Sequence, residues 1–179
     1  MEAKQTPLAH GFDVAAIRAA AANLDDGPVT AGYQADREAV IQMLNDALAT
    51  ELVCVMRYKR HYYTVTGRGN GQAKAEFLEH ANQEQEHADW LAERIVQLNG
   101  SPNFNPATLT ARSHAEYDES EDVESMIRAD LIAERVAIES YRQMIAAIGD
   151  KDPTTRELLI EIMAVEEEHA DDMRDLLPK

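Results

Sequence analysis

The chain is short of cysteine, glycine, proline and positive charge, and each shortage narrows its chemistry. One cysteine, Cys54, in 179 residues rules out an internal disulfide and every multi-cysteine zinc or iron–sulfur cage. Only 8 Gly and 6 Pro leave few breaks in a composition rich in Ala, Glu, Leu and Ile, which favours long helices. Lys and Arg number 17 against 33 Asp and Glu, a formal charge of −16. Phosphate backbones and anionic membranes are poor partners for such a surface. Neither nucleic acid nor a membrane is expected, whereas cations are drawn in by the field. No run approaches the ~18 apolar residues of a membrane span, and the basic-then-apolar pattern of a signal peptide is missing. A cytoplasmic protein is the expectation.

What is present is helical periodicity. Residues 1–35 read as an extension: a short helix from Phe12 to Leu24 with an apolar side of Val14, Ile17, Ala21 and Leu24, then a linker from Asp25 onward. Residues 36–179 read as one bundle of four long helices. The first runs from an Asp36 N-cap to about Thr66, and the second from Gln72 to Leu98, closed by Asn99-Gly100. The third runs from Glu121 to Ile148, and the fourth from Pro153, capped by Asp152, to Leu176. Residues 100–121 are too long for an ordinary helix–helix turn and long enough to cross from one end of a bundle to the other. The expected fold is therefore all-α: an antiparallel four-helix bundle with a long crossover between the second and third bundle helices, plus the short N-terminal helix.

Each of the four apolar seams is interrupted by a carboxylate. Glu51 sits among Leu44, Leu48, Val55 and Tyr58, and Glu134 among Ile127, Leu131, Ile138 and Tyr141. Glu84-Gln-Glu-His87 and Glu166-Glu-Glu-His169 interrupt the other two. A residue three further along a helix shares its face, so each Glu-x-x-His sets an imidazole beside a buried acid. The halves match: 33 residues separate Glu51 from Glu84, 32 separate Glu134 from Glu166, and Tyr58 and Tyr141 each follow a lone Glu by seven. A buried carboxylate needs a partner, a proton or a metal. Four carboxylates balance two divalent cations, and oxygen-rich ligation with one imidazole per ion suits Fe(II) or Mn(II). The expected assignment is His87 on one ion and His169 on the other, with Glu84 and Glu166 bridging and Glu51 and Glu134 terminal. A metal-free network of buried Glu–His hydrogen bonds is the alternative.

The sequence resembles the bacterioferritin branch of the ferritin-like superfamily from about Val40 to Leu176. The likeness is carried by Asn45-Asp-Ala-Leu-Ala-Thr-Glu51 and Tyr58, by Glu84-x-x-His87-Ala-Asp, by Asp122 to Glu134, and by Glu161-Ile-x-x-x-Glu-Glu-x-His169. It implies a ferroxidase that oxidises Fe(II) with dioxygen or hydrogen peroxide at a di-iron centre and stores ferric mineral in a homo-oligomeric shell. Two departures stand out. Haem-binding relatives carry Met where Gln85 stands here, so haem is not expected. Only ten residues follow His169, too few for the fifth helix of 24-subunit cages. The extension is similar in architecture to dodecameric starvation-protection cages, so a dodecamer or a dimer is expected. The functional alternative is a di-metal peroxidase or catalase like rubrerythrins or manganese catalases, without mineral storage.

Other residues admit two readings each. Tyr58 and Tyr141 are either hydrogen-bonding or redox groups beside the centre or core aromatics. Asp130, one turn before Glu134, either holds the second nitrogen of a ligand histidine or is solvated. His80 either lies near an iron entry path or is a satisfied surface or boundary residue, and Cys54, three after Glu51, either approaches the centre or is a small buried hydrophobe. Glu79, Glu86, Glu167 and Glu168 form a solvated acidic face. Arg57-Tyr-Lys-Arg60 reads as surface charge offsetting acids on neighbouring subunits.

Overall fold

The computed structural model describes residues 11–178; the first ten residues of the expected extension and Lys179 lie outside them. The chain divides into two compact units, 1–33 and 34–179. In the first unit the helix is shorter than its periodicity predicts: α1 spans Val14–Ala20, capped by Asp13, which accepts from the Ala16 amide. None of its residues is buried. Without buried contacts a helix this short has little beyond its cap to hold further turns.

The second unit is all helix. The bundle consists of α2 (Arg37–Thr64), α3 (Gly71–Gln97), α5 (Val123–Ile148) and α6 (Pro153–Leu176). Asp36, Asp122 and Asp152 each accept from the amide three residues on, satisfying a first-turn donor of α2, α5 and α6. Helix α3 stops at Asn99, whose φ of 62° turns the chain left-handed, and the Gly100 amide returns to the Ile95 carbonyl at 2.8 Å. A Cβ on Gly100 would lie 2.8 Å from Ile41, so only glycine lets the turn pack against α2.

Helix α2 packs along α3 and α5 along α6, and the hairpins meet through α2–α5 and α3–α6. Tyr58 reaches Glu134 while Tyr141 reaches Glu51. Since each Tyr follows its own helix's Glu by two turns, α2 and α5 run antiparallel. The seam residues Leu44, Leu48, Phe77, Ala81, Leu91, Ile95, Met126, Leu159, Ile162 and Met173 are buried. Each large apolar side chain removed from water contributes about 1.5–3 kcal/mol. By length and composition α2 does reach the threshold of a membrane-crossing helix, contrary to the sequence reading, but 61% of its apolar window is buried inside the protein. It is the core helix of the bundle.

The crossover is more ordered than its composition suggests. It contains a 3-10 turn (Pro106–Thr108) and a short helix, α4 (Leu109–Arg112), which packs on α2. Polar side chains fasten it along α2 in sequence. Asn45 accepts from the Asn103 amide, Thr50 accepts from the His114 amide, and Arg57 donates to the Glu116 carbonyl. Arg60 then donates to the carbonyls of Glu119 and Ser120. These bonds satisfy loop backbone groups that have no helix of their own.

Candidate metal centre

Glu51, Glu84, His87, Glu134, Glu166 and His169 are each at most 1% exposed, and the four helices bring them to one place. His87 Nδ1 lies 2.9 Å from Glu166, 3.4 Å from Glu51 and 3.5 Å from Glu84. His169 Nδ1 lies 3.5 Å from Glu166, 3.7 Å from Glu84 and 3.8 Å from Glu134. His80 converges with Glu134 and His169, and two larger clusters of donor atoms result: Glu51, Glu84, His87 and Glu166, and Glu84, Glu134, Glu166 and His169. Glu84 and Glu166 belong to both.

The decisive feature is what these atoms do not do. Among the described residues, eight buried side-chain polar atoms have no hydrogen-bond partner. They are Glu51 Oε2, both oxygens of Glu84, His87 Nδ1, Glu134 Oε2, both oxygens of Glu166 and His169 Nδ1. All eight belong to the six residues. A buried donor or acceptor left unpaired costs ~1–3 kcal/mol, more when charged. A hydrogen-bonded Glu–His network would have paired them. The atoms converge at ligand spacing without hydrogen-bond alignment, which is what a cation would satisfy.

The surroundings fix these groups from outside. His169 Nε2 lies 2.8 Å from Gln83 Oε1. An amide oxygen only accepts, so Nε2 carries a proton and Nδ1 is the nitrogen turned to the carboxylates. Sequence reasoning missed Gln83; its spacing one residue before Glu84 gives no signal. The Tyr58 hydroxyl donates to Glu134 Oε1 and the Tyr141 hydroxyl to Glu51 Oε1. Each tyrosine thus holds the lone carboxylate of the opposite hairpin, leaving its second oxygen free.

Electrostatics reflect four acids in one dry site. Burial, then the neighbouring Glu84 charge, pushes Glu51 up to about 8. Burial and then Glu51 push Glu166 up to about 7. For Glu134 burial acts upward too, but the His169 imidazolium outweighs it and holds the group at about 2. Burial disfavours the imidazolium of His87, yet the carboxylates of Glu166, Glu51 and Glu84 prevail and raise it to about 12. His169 is raised in the same way, by Glu134, Glu166 and Glu84. The cluster therefore holds protons on its histidines and shares others among its acids, in positions where metal charge would replace them.

Several residues behave differently from the sequence reading. Asp130 touches neither His87 nor His169. It accepts from Arg57 Nε at 2.7 Å and faces His61 Nδ1 at 2.9 Å, while His61 Nε2 reaches Asp118 at 3.1 Å. Arg57 is fully buried rather than part of a surface cluster; its NH2 group contacts Cys54 Sγ at 3.5 Å and approaches Glu134 at 4.0 Å. His80 is 1% exposed, not a surface residue, and its ring stacks on His169 with centroids 3.9 Å apart. Cys54 is buried as expected, and burial raises its thiol further. Gln85 is half-buried and donates to Asp89 at 3.1 Å. A groove of about 1090 Å³ between α2 and α5 is lined by Met43, Ile132, Val136 and Met144 and touches none of the six residues.

A four-helix bundle enclosing a carboxylate–histidine centre is the architecture of ferritin-like proteins. The ferritin-like domain family matches residues 41–179, and the chain belongs to that family. It is 33% identical over 145 residues to the bacterioferritin of Brucella melitensis, covering 78% of this chain and 85% of that one. It is 29% identical over 136 residues to a nutrient stress-induced DNA-binding protein of Synechococcus, covering 73% of this chain and 76% of that one. In three dimensions it is similar to a bacterioferritin-related protein of Bacteroides fragilis, described as a dodecameric thioferritin. There the TM-score is 0.76 at 32% identity, over 79% of this chain and 86% of that one.

Proposed function

We propose that the protein is a ferroxidase that detoxifies and stores iron, with Glu51, Glu84, His87, Glu134, Glu166 and His169 as the ligands of two iron ions. The observation that carries this reading is the set of eight unpaired buried atoms confined to those six residues. Two divalent cations cancel four carboxylate charges and supply the missing partners. Glu84 and Glu166, shared by both clusters, would hold both ions. His87 and Glu51 complete one coordination set, and His169 and Glu134 the other. Manganese fits the same donors, but the similarity to bacterioferritins favours iron.

Iron supplies the electrons: two Fe(II) give up two, which with two protons reduce dioxygen to hydrogen peroxide, or peroxide to two waters. The chain's own residues set the conditions. Gln83 holds the His169 tautomer, Tyr58 and Tyr141 aim the terminal carboxylates, and the apolar seams exclude bulk water. The protein is read as a cytoplasmic homo-oligomeric cage, like the dodecameric relative, with residues 1–35 as an appendage to the bundle domain 36–179.

A di-metal peroxidase or catalase without mineral storage would use much the same donors; resemblance to bacterioferritins favours storage. DNA binding, which the Synechococcus relative's name states, is disfavoured by a charge of −16. The test is to add Fe(II) to metal-free protein in air and follow ferric absorbance. The parent oxidises iron rapidly, and Glu84→Ala and His169→Ala fall by at least about tenfold, since losing even an outer partner of a metal ligand typically costs that much. Unchanged rates in both variants would sink the assignment.

A further inference from the structure

Beside the buried centre, Glu76 and His80 on α3 and Asp172 on α6 form a further convergent donor cluster. His80 Nε2 lies 3.6 Å from Asp172 Oδ2 and 3.8 Å from Glu76 Oε2. Both distances exceed a hydrogen bond. They fall within the span of two ligands on one cation, roughly 3 Å at right angles and about 4.2 Å across the ion for bonds of about 2.1 Å. Among the described residues, neither carboxylate pairs with a Lys or Arg.

The histidine gives the independent sign. The Tyr58 hydroxyl spends its one proton on Glu134 Oε1. At 3.1 Å from His80 Nδ1 its oxygen can therefore only accept, so Nδ1 carries the imidazole proton. Nε2, on a side chain only 2% exposed, makes no hydrogen bond of its own and is aimed between two carboxylates. Two carboxylates converging on one buried ring nitrogen repel one another, and a cation held among the three would satisfy them all. Proton-bearing Nδ1 held by a partner, with Nε2 free, is the arrangement of a metal-bound imidazole.

We propose that Glu76, His80 and Asp172 bind a third divalent cation, placed between solvent and the buried pair. Asp172 is 46% and Glu76 25% exposed at the side chain, whereas His80 stacks on His169 of the inner cluster. The site thus has one side in water and the other against the centre. One imidazole with two carboxylates suits Fe(II), Mn(II), Co(II) or Zn(II). As a binding site it stands on its own geometry; as a staging point for incoming iron it rests on the ferroxidase reading.

Calorimetric titration of metal-free protein with Co(II) tests it, comparing the parent with the double variant Glu76→Gln/Asp172→Asn. These near-isosteric changes lie at partly exposed positions, and unfolding temperature checks that the fold is kept. The parent binds three Co(II) per subunit and the variant two, and cobalt anomalous scattering from parent crystals places the third ion between Glu76, His80 and Asp172. Two Co(II) in both proteins, with no density there, overturns the third site and leaves the inner pair intact. Fewer than two in the parent contradicts the two-metal reading instead.

Discussion

At the scale of single residues, the six inward groups all present free atoms, and Gln83, Tyr58 and Tyr141 hold three of them in place. The separate triad of Arg57, Asp130 and His61 is fully paired and touches the centre only at its edge. Its role is to anchor α5 and the crossover to α2. Asp130→Ala would leave the buried Arg57 guanidinium without its carboxylate, at a cost of about 3–5 kcal/mol, read as a lowered denaturant midpoint. The acids of the centre predict a pH effect. Glu51 and Glu166 have folded values of about 8 and about 7, above the ordinary 4.5. A raised value means that their contribution is fully present below about pH 4.5 and is lost as pH rises through 7 to 8. Metal-free protein should therefore lose melting temperature between pH 5 and pH 8. Glu51→Gln, which cannot ionise, should flatten that slope, and an unchanged slope would show that Glu51 is not the strained acid.

The six seam residues and both tyrosines were legible in the sequence because a carboxylate in an apolar stripe stands out against helical periodicity. Arg57, His80 and Gln83 were not. Arg57 sits in a run of basic residues, and only Asp130 and the Glu116 carbonyl, both distant in sequence, make its burial tolerable. His80 borders the seam, so its burial depends on how closely α6 approaches. Asp130, one turn from Glu134, reads from sequence either as the partner of a ligand histidine or as a solvated acid, and it is neither. The same turn instead directs it towards α2, where Arg57 and His61 meet it.

At the scale of elements, the long helices and their caps follow the sequence closely, while the crossover does not. Its Asn, Pro and acidic residues carry no amphipathic pattern, so the short helix α4 and its attachments to α2 depend on tertiary contact. The tightest point is the end of α3. Gly100→Ala forces a methyl group to within 2.8 Å of Ile41 and 2.9 Å of Ile95. Overpacking of this kind costs about 1–3 kcal/mol, measurable by urea unfolding. A neutral result would mean that the Ile41 and Ile95 side chains give way freely.

At the scale of the whole molecule, two helical hairpins with matching spacing build a pseudo-symmetric centre: each contributes one lone Glu, one Glu-x-x-His and one Tyr that crosses to the other's acid. That symmetry is why two ions, and not one, are the account's central claim. The acidic surface draws cations towards it, and the outer triad of Glu76, His80 and Asp172 stands on one approach. The most direct test is to titrate metal-free protein with Fe(II) in air and follow the fast oxidation phase by stopped flow. The amplitude of that phase should grow until two Fe(II) per subunit have been added and then stop growing. Saturation at one Fe(II) per subunit, or no fast phase at all, would contradict the two-metal centre.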